Sequence, residues 1–210
     1  MLKIGSSYFS AGGAPIKAKG IDYTAIVALE PCYGKEGGNA TRIYTWQSEV
    51  FEVNCWLNTV LHNLVQGYGY DLAKLRRQFG EKLFCRQDIP LPLSATQALV
   101  PLKMRCPFSE KDGATGYINL CAFMAVVPAP EQKEGAVVAC HLKLSGGHTL
   151  PSLFSAANIE GRMKKAILAH EHYFHLHGHY GKENHYRIAE EAEQHQLYRV
   201  HRQRRRFRTF

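Results

Sequence analysis

Residues 117–127 are almost unbroken in apolar side chains, and together with the segments up to residue 175 they restrict the fold of this chain more than any other stretch. The run is too short for a membrane-spanning helix, which needs about 18 residues, and its continuity fits a strand covered on both faces. Residues 137–144 then alternate, with Val138, Cys140, Leu142 and Leu144 on one face, the period of a half-buried strand. Ser145-Gly-Gly-His148 turns the chain. From 152 to 175 the period changes again: Ile159, Met163, Ile167, His170 and Phe174 form one stripe, with Arg162, Lys164 and Lys165 on other faces. Strands leading into one long amphipathic helix predict an α+β fold, a mostly antiparallel sheet of about six strands packed against that helix. Gly161 inside the helix costs about 1 kcal/mol relative to Ala and marks a point where it could break.

The first half supplies the remaining elements. Residues 22–29 read as a short buried strand, and 42–53 as a strand pair or one long bent strand. Trp56, Val60, Leu61 and Leu64 recur at helical spacing, and Gly67 and Gly69 end that helix. A second short helix covers 70–78, with Leu72, Leu75 and Phe79 inward. Residues 83–86 are a candidate strand. Pro90 and Pro92 make 89–92 an edge or connector, and Pro101 argues that the strand at 99–106 is also an edge, because proline cannot donate to a ladder. The expected organisation is a flexible leader at 1–20, one domain at 21–176 and a basic His/Arg-rich tail at 177–210, with an extra helix at 188–200.

Composition narrows the function classes. The 210 residues carry 26 Lys and Arg against 18 Asp and Glu, a net charge of +8, which favours a polyanionic partner. The beginning of the chain has no apolar signal region, and no run is long enough for a membrane, so a cytoplasmic chain with no membrane partner is expected. Cys32, Cys55, Cys85, Cys106, Cys121 and Cys140 are scattered without a C-x-x-C and read as reduced thiols. Walker, G-x-S-x-G and G-x-G-x-x-G patterns are absent from the sequence. The expectation is a binding protein, not an enzyme, with no cofactor, no metal site and no catalytic residue.

Three segments stand out chemically. Residues 199–208 hold six arginines in ten positions. Such a run can hold phosphates or reach into a narrow minor groove, and it also fits a solubilising tail. Gly67-Tyr-Gly-Tyr-Asp-Leu-Ala-Lys-Leu-Arg-Arg77 combines glycines that permit close approach, the flat faces of Tyr68 and Tyr70, and the cations Lys74, Arg76 and Arg77. It reads as a loop and helix docking on a nucleic-acid backbone, or as a solvated amphipathic helix. His170, His172, His175, His177, His179 and His185 invite a metal reading, although position 174 is Phe and breaks the H-E-x-x-H spacing.

Lys143-Leu-Ser-Gly-Gly-His-Thr-Leu-Pro-Ser-Leu-Phe-Ser-Ala-Ala-Asn-Ile-Glu-Gly-Arg-Met-Lys-Lys-Ala166 resembles the late segment of the bacterial competence transcription factor (ComK) family. Other parts fall in matching order: Glu52-Val53-Asn54 after an early strand, Gly67-Tyr-Gly-Tyr70 followed by Arg76-Arg77, and Leu91-Pro92-Leu93-Ser94 before the central strands. Residues 71–75 stretch the Gly-aromatic-Arg segment, and no tryptophan lies between Pro101 and Val127. The resemblance implies a transcription activator of DNA-uptake genes. It implies binding to A/T-rich double-stranded DNA through the minor groove, a homodimer or higher oligomer, and a proteolytic adaptor.

The expected DNA contacts are therefore Tyr68, Tyr70, Lys74, Arg76 and Arg77, with Arg162, Lys164 and Lys165 as a second set. The rival expectations are a metal-dependent enzyme built on His170–His179 and an RNA- or protein-binding module.

Overall fold

Ile26, Val27, Ala28 and Leu29 are each 1 % exposed or less, because the strand they begin is covered on both faces. The computed structural model describes residues 21–35, 37–109, 111–129 and 138–178. That strand, β1 (Ile26–Tyr33), lies inside a six-stranded antiparallel sheet with β2 (Asn39–Thr45), β3 (Val50–Val53), β4 (Leu91–Ser94), β5 (Gln97–Lys103) and β6 (Thr115–Asn119). The order is β3-β2-β1-β6-β5-β4. A second sheet, in the order β7-β8-β9, is formed by β7 (Phe123–Pro128), β8 (Cys140–Leu144) and β9 (Thr149–Ser152). The helices are α1 (Leu57–Gly67), α2 (Leu72–Lys82) and α3 (Ala156–Leu176). The described residues up to Tyr173 belong to one compact unit, and residues 174–178, the end of α3 and the two residues after it, to a second.

One face of the large sheet carries Ala28, Val100, Leu102 and Ile118. They share a core with Cys140, Leu142, Leu144 and Leu150 of the small sheet and with Ile159, Met163 and Ala166 of α3. Leu29 and its cross-strand partner Tyr117 point the other way, toward α1 and α2. Burying Ile26, Val27 and Leu29 contributes about 1.5–3 kcal/mol each. The sheet and its long helix agree with the α+β expectation. The small sheet adds to it.

Local sequence explains the helices. Leu57, Val60, Leu61, Leu64 and Val65 bury one face of α1, and Gly69 at φ +81 supplies the left-handed residue that closes it. Asp71 caps α2, its Oδ1 accepting from Lys74 N at 2.7 Å, while Leu72, Leu75 and Phe79 turn inward. In α3 the buried side chains are Ile159, Met163, Ala166, Ala169, His170 and Tyr173. The expected stripe drifted one position late, so Ile167 and Phe174 are only half-buried.

Three strand expectations are corrected. The apolar run at 117–127 is two strands in two sheets, not one central strand. Asn119 breaks it: its Oδ1 accepts from Cys121 N and Ala98 N, both at 3.2 Å, and its Nδ2 donates to Thr96 O at 2.9 Å. Residues 83–86 are the turn after α2. The strand with Pro101 is interior, between β6 and β4, yet β4 pairs only as far as Leu99, so Pro101 faces no partner on that side. The chain at 42–53 is a strand pair, β2 with β3. The leader at 1–20, the helix at 188–200, the arginine run, His179 and His185 lie outside the described residues.

The small sheet is tied to the large one at both ends. His148 Nε2–H donates to Thr45 O at 2.7 Å, and Leu153 N donates to Lys103 O at 2.9 Å.

Helix α3 runs through Gly161 unbroken, and a β-carbon there would meet nothing within 4 Å. Gly161→Ala is therefore expected to stabilise the protein by about 0.5–1 kcal/mol in urea denaturation. A loss of stability would mean that Gly161 serves a close contact.

Candidate functional site

Two adjoining cavities mark the surface where α2, the turn after it and α3 meet the large sheet. The larger, about 440 Å³, is lined by the cations Arg76, Arg86, Arg105 and Lys111, with Asp88 as its one acidic side chain. The smaller, about 280 Å³, is lined by Arg162 and Lys165 together with Pro101 and Asn158. Gln87 and Asp88 line both, so the two cavities share a wall. Asp88 accepts a 2.9 Å ion pair from Arg162, which offsets the acid's charge between them.

The cations come from several elements, with Arg162 and Lys165 both on α3. Arg76 leaves α2 on the sheet side and donates to the Tyr117 hydroxyl at 3.2 Å. Burial pushes the Tyr117 hydroxyl up, opposed by Arg76, so it remains a neutral phenol at physiological pH. Arg86 sits in the turn after α2. That turn packs closely on Gly80, where a β-carbon would lie 2.9 Å from Cys85 O and from Ile89 Cδ1. Arg162 stacks on Phe154, 4.1 Å from the ring centre, and reaches Pro101 O at 3.4 Å. Arg86, Lys111 and Lys165 make no side-chain hydrogen bond or ion pair among the described residues.

Arg105 is spent on structure. Its Nε donates to Gly113 O at 2.7 Å, Nη1 to Cys32 O at 2.8 Å and Nη2 to Asn39 Oδ1 at 2.5 Å, while its guanidinium lies 4.3 Å from the Tyr33 ring centre. Asn39 Nδ2 and the Tyr33 hydroxyl in turn donate to the two oxygens of Asp112, at 2.7 and 2.8 Å. This network holds the rim that carries Lys111. The donors Asn39 first, then Tyr33, keep the Asp112 carboxyl below the usual carboxylate range.

The N-terminus of α1 opens into the same cavity through Trp56, Leu57 and Asn58. Trp56 gives no side-chain cap; Thr59 N donates to Trp56 O at 2.9 Å. A helix start of this kind favours negative charge, in accord with the cations opposite.

The sequence-derived residues divide accordingly. Arg76, Arg162 and Lys165 are brought together. Lys74, Arg77 and Lys164 are exposed but line neither cavity. Tyr68 and Tyr70 line neither cavity. The Tyr68 oxygen is buried beside Ser94 without a hydrogen bond of normal geometry, and burial raises its pKa. Burial and the Tyr173 hydroxyl push Tyr70 up to about 12. Tyr68 meets Ser94 and Tyr70 meets Tyr173, contacts that the loop reading of this segment did not include. Arg86, Arg105 and Lys111 were missed, because each is a lone cation with no periodic pattern around it.

The histidines are occupied or dispersed. His170 Nε2 donates to Ser94 O at 2.9 Å, and His172 meets the Phe79 ring edge-on at 5.9 Å. Among the described residues no three His, Cys, Asp or Glu side chains converge as metal ligands. Burial raises the thiols of Cys32, Cys55 and Cys140, so they stay protonated. Among the described residues no helix is long and apolar enough to cross a membrane. No family model, curated protein or solved structure matches the chain.

The rim gives two expectations. Arg105→Ala removes three hydrogen bonds, two of them part-buried, and should lower stability by about 2–3 kcal/mol in denaturant titration, while Lys111→Ala should change it by less than about 0.5 kcal/mol. Equal effects would contradict the division between structural and free cations. Because the folded-state pKa of Asp112 is lowered, its stabilising contribution is present above the ordinary value of about 3.9 and disappears as pH falls through the lowered one. Asp112→Asn should therefore flatten part of the acid limb of a stability-versus-pH curve, and an acid limb identical to wild type would contradict the assignment.

Proposed function

We propose that this chain binds the phosphate backbone of nucleic acid across the two joined cavities, and that it does so as a DNA-binding transcription activator of the competence type. The observation that carries the binding reading is the shared wall at Gln87 and Asp88. It sets Arg76, Arg86 and Lys111 of one cavity beside Arg162 and Lys165 of the next, with the shared acid already paired to Arg162. Cations spread along a concave surface suit a polyanion, whose binding is driven by counterion release. The finer reading rests on the resemblance at residues 143–166 and 67–77. It comprises A/T-rich duplex as target, activation of DNA-uptake genes, a dimer or higher oligomer, a proteolytic adaptor and a cytoplasmic location.

In this account phosphates lie on Arg76, Arg86 and Lys111, with Lys165 at the far end. Lys74 and Arg77, on the outer face of α2, add only long-range attraction. Arg76→Ala with Arg86→Ala should weaken binding to an A/T-rich duplex and reduce the slope of log affinity against log salt by about 1–2 units. Lys74→Ala with Arg77→Ala should leave the slope within about half a unit of wild type. The cavity assignment fails if the second pair flattens the slope as much as the first. Displacement of the duplex by A-form RNA at equal concentration would replace the DNA reading by an RNA one.

A further inference from the structure

Phe84 is 97 % exposed, the most exposed of the large apolar side chains among the described residues. Its backbone is left-handed, at φ +52. The end of α2 imposes that conformation. Leu83 closes the helix, Phe84 N donates to Glu81 O at 3.3 Å, and Cys85 N reaches back to Gly80 O at 2.9 Å. The position in this motif that takes a left-handed residue is usually glycine, because a β-carbon there is strained. The chain thus keeps a large ring in water, on a backbone that disfavours any side chain. Two such departures in one residue point to a use outside the fold.

The surroundings indicate the partner. Lys82 and Arg86 stand two residues before and after Phe84 in the chain, and Arg86 walls the larger cavity. The close packing of Cys85 and Ile89 on Gly80 fixes the turn to α2, so the backbone that carries Phe84 and the cavity-lining Arg86 is held firmly. The partner must combine negative charge with a flat apolar face, which is the chemistry of a nucleic-acid base beside its phosphate. A second copy of this chain, at net charge +8, would bring like charge to these cations.

We propose that Phe84 is a wedge that inserts between neighbouring base pairs of the duplex bound across the cavities, stacking on the base exposed by unstacking that step. The inference rests on the nucleic-acid reading of the cavities. Insertion substitutes ring–base stacking for part of the lost base–base stacking, and the flanking cations hold the phosphates on either side. Trp56, about half exposed at the α1 end of the larger cavity, offers a second apolar face along the same surface.

The test uses the full chain, A/T-rich duplexes with 2-aminopurine placed at successive steps, and Phe84→Gly and Phe84→Trp. Unstacking raises 2-aminopurine fluorescence. Wild type should raise it at one step. Phe84→Gly relieves the backbone, so it should melt higher by roughly 2 °C. It should also bind about tenfold more weakly, lose the fluorescence rise and keep the wild-type salt slope. Phe84→Trp should retain the rise.

Phe84→Gly with wild-type affinity and an undiminished rise would overturn the proposal. So would a Phe84-dependent rise confined to single strands, or a change in the oligomeric state of free Phe84→Gly in sedimentation, which would make the ring a contact between copies. If wild type binds no duplex at all, the cavity reading falls together with the wedge. Duplex binding without unstacking removes the wedge alone.

Discussion

Two-sided burial of β1 is the constraint on which the rest of this structure depends. Ala28 faces the core shared with α3 and the small sheet, while Leu29 and Tyr117 face α1 and α2. A strand covered on both sides must satisfy its backbone through neighbouring strands, and β1 does so with β2 and β6. The same arrangement puts the far end of β1 and the start of β6 under the edge of α2. There Arg76 can rest on Tyr117, and Arg105 can reach the Cys32 carbonyl. The basic cavity is the gap left where this three-layer packing ends.

Burial in the sheet also accommodates charge. Glu30 of β1 is 8 % exposed, accepts from the Tyr44 hydroxyl at 2.5 Å and has Arg42 at 3.7 Å. Burial, then the Glu30 hydrogen bond, pushes the Tyr44 hydroxyl well above its ordinary value, so it remains a donor throughout the physiological range. A buried carboxylate is tolerated where such donors meet it, and its removal from the pair would be more damaging than its presence. The same logic governs the cavity: Asp88 is acceptable among cations because Arg162 holds it.

What could be read from sequence was what periodicity encodes. The stripe on α3, the alternation in β8 and the two short helices each depend on residues within a few positions of one another. What could not be read depended on distant partners. Asn119 splits an apolar run into two strands through bonds to Thr96 and Ala98, and nothing in the run itself announces the break. Residues 83–86 carry strand-like side chains but are held as a turn by hydrogen bonds back to Gly80 and Glu81. The site divides in the same way. Arg76 and Arg162 stood out beside other cations, whereas Arg86, Arg105 and Lys111 gain meaning only when their separate segments converge.

The most direct check on phosphate binding across the cavities is a backbone amide NMR titration of the full chain with an A/T-rich duplex. The largest shifts are expected at the uncapped start of α1, Leu57 and Asn58, at residues 86–89, and at 111–115 on the opposite rim. Lys74 and Arg77, on the outer face of α2, should move little. Shifts concentrated on the outer face of α2, with residues 57–58 and 86–89 unmoved, would contradict it.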